Sequence, residues 1–315
     1  MTTQTLVSID DIAAAAARVR DVARLTPLIP VAPGLFLKCE NMQPMGAFKM
    51  RGACNMVAQL EPAARARGVI TYSSGNHGQA VALAAQLHGA PAVIVMPETA
   101  PAVKVQGARG YGAEVVFAGR TSNDRKAKAE EMAAARGLAM VPPFDHEWII
   151  AGQGTVGLEI VEQCPEVAEV YVPVGGGGLI AGAATAIKRR RPDVRVVGVE
   201  PAGAAKMSTS LRAGHPVSLD RTASIADGLL TLRPGDLTFA HAQAFVDEVI
   251  TVTDDQIAAA VGWLFRTAKI VAEPSGAAAT AGVLSRGAPS RATVAVVSGG
   301  NVAPGDFAKY IAQPA

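Results

Sequence analysis

Apolar and polar positions change period several times along the chain, and each change marks an element. Ser8, with Asp11 three residues on, forms a capping-box pattern ahead of an alanine-rich run, which predicts a helix from Ile9 to about Val22, ended by Thr26-Pro27-Leu28. Leu35-Phe36-Leu37-Lys38 predicts a short strand, and Phe48 to Leu60 predicts a helix stopped by Glu61-Pro62. From Gly68 to about Phe144, β-branched runs at Val69 to Tyr72, Ala92 to Met96 and Glu114 to Phe117 alternate with helical patterns at Gln79 to Leu87, Ala102 to Gly110 and Ser122 to Arg136. That alternation predicts a parallel sheet. A second series follows: a helix from about Glu147 to Gln163, strands at Val170 to Val174, Val194 to Val199 and Val246 to Val252, helices at Leu179 to Arg189, Asp254 to Lys269 and Pro274 to Leu284, and a strand at Thr293 to Val297. The expected fold is α/β, two doubly wound open parallel-sheet domains with a ligand in the cleft between them. The expected large domain comprises residues 1–60 and 150–315, and the small domain residues 61–149.

Composition narrows the partners. Half of the 315 residues are apolar and few are aromatic, which suits helices packed closely on sheets. No apolar run approaches the roughly 18 residues of a spanning helix, and Met1 to Thr5 shows no secretory pattern, so a cytoplasmic protein without membrane contact is expected. The net charge is +2, and the basic cluster Lys188-Arg189-Arg190-Arg191 falls at an expected helix end, where it complements the helix dipole; no nucleic acid is implied. Cys39, Cys54 and Cys164 are odd in number and lack CxxC spacing, which argues for free thiols.

Chemistry-bearing residues fall at strand ends. Lys49 follows Phe48 just after a Pro/Gly turn and opens a helix, where shelter from water would lower its pKa and make it nucleophilic; alone, such a lysine is more often a surface residue. Ser73-Ser74-Gly75-Asn76-His77-Gly78 joins a strand to a helix and leaves backbone N–H groups for an anion, a carboxylate better than a phosphate. Gly175-Gly176-Gly177-Gly178 does the same without side chains; it matches neither GxGxxG nor a P-loop, and a phosphate monoester suits it best. Ser298-Gly299-Gly300-Asn301 ends the last strand with a hydroxyl able to meet a ring nitrogen.

Together, Lys38 to Ala53, Ser73 to Ala80, the tetraglycine loop and Ser298 to Asn301 resemble the serine/threonine dehydratase and serine racemase family, pyridoxal-phosphate enzymes of the tryptophan-synthase-β fold. The resemblance covers nearly the whole chain in order. It implies Lys49 as the Schiff-base lysine and Cα base, Phe48 beside the cofactor, Asn76 at the ring hydroxyl, Gly175 to Gly178 at the phosphate and Ser298 at the pyridine nitrogen. It further implies that Ser73, Ser74 and the adjacent N–H groups of Gly75, Asn76 and His77 hold the substrate carboxylate. The implied activity is dehydration and deamination of L-threonine, L-serine or a related β-hydroxy amino acid to a 2-oxo acid and ammonia, by a homodimer. A serine racemase is the alternative, because Ser74 stands where racemising relatives place an acid/base serine. A protein that binds a nucleotide or amino acid without turnover is a more distant one.

Some members of that family bind a divalent cation near a Val-x-x-Glu-Pro strand. Here Glu200 is present but the later acidic position is Lys206, whose ammonium either pairs with Glu200 and opposes a metal or points to solvent; no metal is expected. Glu273 and Asp227-Gly228 fall where the family lines the ring, although caps and turns explain both. His77 supports its turn, and His88, His146, His215 and His241 show no metal-site pairing.

Overall fold

The computed structural model describes residues 5–73, 75–100 and 102–312, apart from the side chains of 103 and 122. The chain opens with α1 (Ile9–Val19), whose Ser8 side chain accepts from Asp11 N while the Asp11 carboxylate accepts from Ser8 N, completing the capping box. Strands β1 (Leu28–Ala32) and β2 (Leu35–Cys39) follow, then α2 (Lys49–Gln59) and α3 (Pro62–Arg67). The alternating series comprises β3 (Val69–Tyr72), α4 (Asn76–Leu87), β4 (Ala92–Met96), α5 (Ala102–Gly110), β5 (Glu114–Phe117), α6 (Ser122–Arg136) and β6 (Ala139–Met140). The remainder is α7 (Glu147–Gln163), β7 (Glu169–Pro173), α8 (Gly178–Arg190), β8 (Arg195–Pro201), α9 (Lys206–Ala213), α10 (Asp236–Phe245), β9 (Glu248–Val252), α11 (Asp254–Trp263), α12 (Pro274–Leu284), β10 (Thr293–Val297) and α13 (Pro304–Ile311).

Two sheets result, in the orders β1-β2-β10-β7-β8-β9 and β5-β4-β3-β6. The smaller is parallel throughout. The larger is parallel except for β1, which runs antiparallel to β2 at the edge, where Pro30 can be carried without costing an interior ladder. Because β2 enters beside β10, the segment leading to Lys49 is tied to the sheet formed by the second half of the chain.

Several boundaries differ from the pattern reading. α4 starts at Asn76, not Gln79, because Gly75 takes the N-cap and the buried His77 and Gly78 form the first turn. The helix expected from Asp254 to Lys269 is α-helical only to Trp263; it then widens into a π turn over Leu264–Ala268 and stops at Lys269, which sits at φ 58°. Such widening is invisible to a 3.6-residue period. α7 and α8 pack closely, and a Cβ on Gly182 would run into the backbone of Ile150 and Gly154. The three cysteines are free and buried, and Lys188 of the basic cluster pairs with Asp247 at 2.8 Å.

Candidate functional site

The segment before α2 is stitched to the end of β10. Phe48 N donates to Ser298 O at 3.1 Å, and Ala47 bridges to Gly299. Behind it lies a buried ionic brace built from the Lys38 to Arg51 motif. Arg51 grips Glu40 through Nε and Nη2 at 2.7 and 2.8 Å and reaches Glu159 of α7 through Nη1 at 2.6 Å. Lys38 Nζ, fully buried, donates to Glu159 Oε2 at 2.5 Å, Gln163 Oε1 at 2.8 Å and Thr26 O at 2.9 Å. The first turn of α2, and Lys49 with it, is thereby pinned between β2 and α7.

Lys49 is half-buried. Its Nζ donates to Pro143 O at 2.6 Å and lies 5.2 Å from the Phe48 ring centroid. Loss of water around the ammonium lowers the Lys49 pKa to about 8. That is the condition a nucleophilic amine needs.

Pro143 links two of the strand-end loops. The next residue, Phe144, packs its ring against Gly176, where a Cβ would overlap it, and its Cα and Cβ against Gly178. Asp145 then accepts the N–H groups of Asp236, Leu237 and Thr238, each at 3.0 Å, capping α10. Thr238 Oγ1 in turn donates to Gly176 O at 2.7 Å. Gly177 sits at φ 101°, a left-handed conformation in which a Cβ would also strike Thr238. These supports were not read from the sequence. β6, which delivers Pro143 and Phe144, is two residues long and too short to show a period.

At the start of α4, Ser73 Oγ accepts from Gly75 N at 3.2 Å, and a side chain at Gly78 would collide with Ser73 O. Ser74 lies outside the described residues. Asn76 Nδ2 donates to Glu273 Oε1 at 2.5 Å, and Asn76 Oδ1 accepts from Asn301 at 2.8 Å. His77 is buried, with Nε2 at 3.0 Å from Val141 O, and burial pushes its pKa down to about 3. It therefore stays neutral and braces the turn, with no part in charge transfer.

Ser298 is only 5% exposed, at the end of β10, where its carbonyl holds Phe48 N. A hydroxyl at a strand end can donate to or accept from a ligand atom. Burial, reinforced by Asp227, raises the Glu273 carboxyl to about 8, and Asp227 itself pairs with Lys104 at 2.8 Å. Lys49, Asn76, Ser298 and Gly175 to Gly178 are thus joined through shared partners at the carboxyl ends of β3, β7 and β10.

Lys206 does not point to solvent. It is fully buried, and Nζ donates to Val174 O, Ala204 O and Leu229 O, each at 3.0 Å, with Glu200 Oε1 at 3.3 Å. Glu200 is further held by Met207 N and Ser208 N at 2.7 and 2.9 Å. Val174 precedes the glycine loop, so this ammonium anchors its root.

A family model described as pyridoxal-phosphate dependent enzyme matches residues 18–300. The chain is 42% identical over 296 residues to the biosynthetic L-threonine dehydratase of Pasteurella multocida, covering 90% of this chain and 58% of that protein. It is 38% identical over 317 residues to the serine racemase of Schizosaccharomyces pombe, covering 98% of each. Its structure superposes on the processed threonine deaminase isoform 2 from Solanum lycopersicum with a TM-score of 0.92 at 39% identity, covering 96% of this chain and 86% of that one.

Proposed function

The chain belongs to the pyridoxal-phosphate-dependent enzyme family, and from that premise we propose that it is an ammonia-lyase of L-threonine, L-serine or a related β-hydroxy amino acid. The carrying observation is the Lys49 amine, desolvated and held at Pro143 O on the strap that also closes over the glycine loop.

The residues present fit the cofactor. Lys49 would bear it, Gly175 to Gly178, where side chains would collide with Phe144 and Thr238, would take its phosphate, Asn76 its ring oxygen and Ser298, through its hydroxyl, its ring nitrogen, with Phe48 alongside. When bound, pyridoxal phosphate supplies an electron sink for the pair left at Cα. Lys49 Nζ accepts the Cα proton, and a pKa near 8 leaves a useful neutral fraction at neutral pH. The N–H groups of Gly75, Asn76 and His77 at the head of α4, with Ser73 and Ser74, hold the substrate carboxylate. Loss of the β-hydroxyl and hydrolysis then release a 2-oxo acid and ammonia. A neutral hydroxyl at the ring nitrogen favours this elimination over transamination, because it stabilises a ring cation less than a carboxylate would.

The test is a panel of L- and D-β-hydroxy amino acids assayed for 2-oxo acid, ammonia and chirality. Pyruvate or 2-oxobutyrate should form from L-serine or L-threonine; faster accumulation of D-serine than of pyruvate would instead establish a racemase.

The domain division at residues 1–60, 61–149 and 150–315 follows from the same reading and is supported by the membership of the two sheets. We assign a homodimer, supported by exposed apolar Met42 and Val271 on segments joined by the Asn41 Nδ2 to Val271 O bond of 3.0 Å. Buried free thiols suit the cytoplasm, and among the described residues no helix is long and apolar enough to cross a membrane.

Lys206 stands where a bound cation would otherwise neutralise Glu200 and three carbonyls, so no divalent metal is required. Activity should survive exhaustive treatment with EDTA and gain less than about twofold from Mg²⁺ or Mn²⁺. Loss of activity in EDTA with recovery on adding either ion would overturn this. Lys206→Ala, by contrast, should loosen the glycine loop and raise the cofactor Kd.

A further inference from the structure

The side-chain amide of Asn76 is held from both ends by residues that have no direct part in the proposed chemistry. Asn301 Nδ2 donates to Met45 O at 2.9 Å and to Asn76 Oδ1 at 2.8 Å. A backbone carbonyl can only accept, so Met45 fixes which end of the Asn301 amide faces it, and the same NH₂ group then meets Asn76. Asn76 must answer with its oxygen. At the other end, Asn76 Nδ2 spends one proton on Glu273 Oε1 at 2.5 Å. Glu273 is itself anchored, because its N–H donates to Gly299 O at 3.1 Å and Pro274 follows it at the start of α12. A Cβ on Gly46 would overlap Asn301 Oδ1, and one on Gly299 would overlap the Glu273 carboxyl, so both partners lie directly against backbone. Asn301 is exposed, so its orientation depends on these hydrogen bonds more than on packing.

We propose that Met45 O, Asn301 and Glu273 form a relay that leaves Asn76 a single free donor, so that the ligand oxygen it meets is held as an oxyanion. Asn301 and Glu273 are positioning residues, and the proposal rests on the assignment of Asn76 to the cofactor ring oxygen. The electrostatics agree. Burial and Asp227 raise the Glu273 carboxyl to about 8, so near neutral pH it accepts from Asn76 largely without a charge that would repel an oxyanion, while Lys104 offsets Asp227 nearby.

The experiment uses protein reconstituted with pyridoxal phosphate and reads cofactor Kd and the pH titration of the bound cofactor's visible absorption band. Asn301→Asp replaces both donors by acceptors and turns the Asn76 amide, so Kd should rise about tenfold and the ring oxygen should protonate about one pH unit higher. Glu273→Leu should shift the band in the same direction, and Glu273→Gln, which keeps an acceptor oxygen, should restore most of it. If Asn301→Asp melts below the wild-type apoprotein, the nearly isosteric Asn301→Leu decides: a shifted band supports the relay, and a wild-type band with wild-type Kd overturns it. Asn76→Ala separates the premise from the relay. An unchanged band in Asn76→Ala removes Asn76 from the ring oxygen and the relay with it. A shifted band there, with a wild-type band in Asn301→Asp, overturns the relay alone.

Discussion

Lys49→Ala should abolish release of 2-oxo acid and ammonia, with a fall in kcat on the order of 10⁴ or more, because in the proposed mechanism one amine both carries the cofactor and takes the Cα proton. The reconstituted variant shows no visible band that borohydride bleaches, and no label at position 49. Its fold is not weakened. The folded-state pKa of Lys49 lies below its ordinary value of 10.5, at about 8, so the folded protein disfavours the charged amine, and that penalty is present below about pH 8 and vanishes as pH rises past 10.5. Removing the amine should therefore raise the apoprotein melting temperature at pH 7 and leave no gain above pH 10.5. An active Lys49→Ala variant, or one that melts several degrees lower at pH 7, would refute the assignment of a desolvated catalytic amine.

Glu40→Ala produces the largest loss of stability. Glu40 is fully buried and holds Arg51 through both carboxylate oxygens, with Thr26 Oγ1 donating to Oε1 at 2.6 Å. Its removal leaves a buried guanidinium that, among the described residues, has only the Glu159 and Thr155 side chains and the Arg24 carbonyl as partners. Breaking a buried pair in this way costs about 3–5 kcal/mol, a drop of roughly 5–15 °C in melting temperature. Burial alone would raise the Glu40 pKa, but Arg51 and then Lys38 outweigh it and hold the carboxyl below its ordinary 4.5. A depressed carboxylate pKa stabilises the fold above the unfolded value and ceases to do so as pH falls through the folded one. The difference between wild type and variant should therefore be full at pH 7 and shrink below about pH 4.5. Equal melting temperatures at pH 7 would show that the brace is not needed. Because Arg51 lies two residues after Lys49, the variant should also bind pyridoxal phosphate more weakly under conditions where it remains folded.

Local order was enough to read much of this protein. A strand followed by small residues and a helix is a short-range pattern, so the loops at Ser73 to Gly78, Gly175 to Gly178 and Ser298 to Asn301 were legible, as were Lys49 at the head of α2 and the parallel α/β class. The edge strand β1 was not, because five residues containing Pro30 carry no reliable period and antiparallel pairing depends on the neighbour. The role of Lys38, Glu40 and Arg51 was likewise hidden. Their spacing marks a family motif, but Glu159, more than a hundred residues away, makes them a buried brace.

The same limit governs the site. Residue types and order determined which groups stand at the proposed site: an amine, a hydroxyl, an amide and a glycine cradle. Tertiary structure alone decided their condition. Pro143 shelters Lys49, Phe144 presses on the glycine loop, Glu273 and Asn301 orient Asn76 across 197 and 225 residues, and three carbonyls swallow Lys206. Desolvation and hydrogen-bond direction depend on atoms within a few ångströms in space, and those atoms come from chain segments that no sequence window spans.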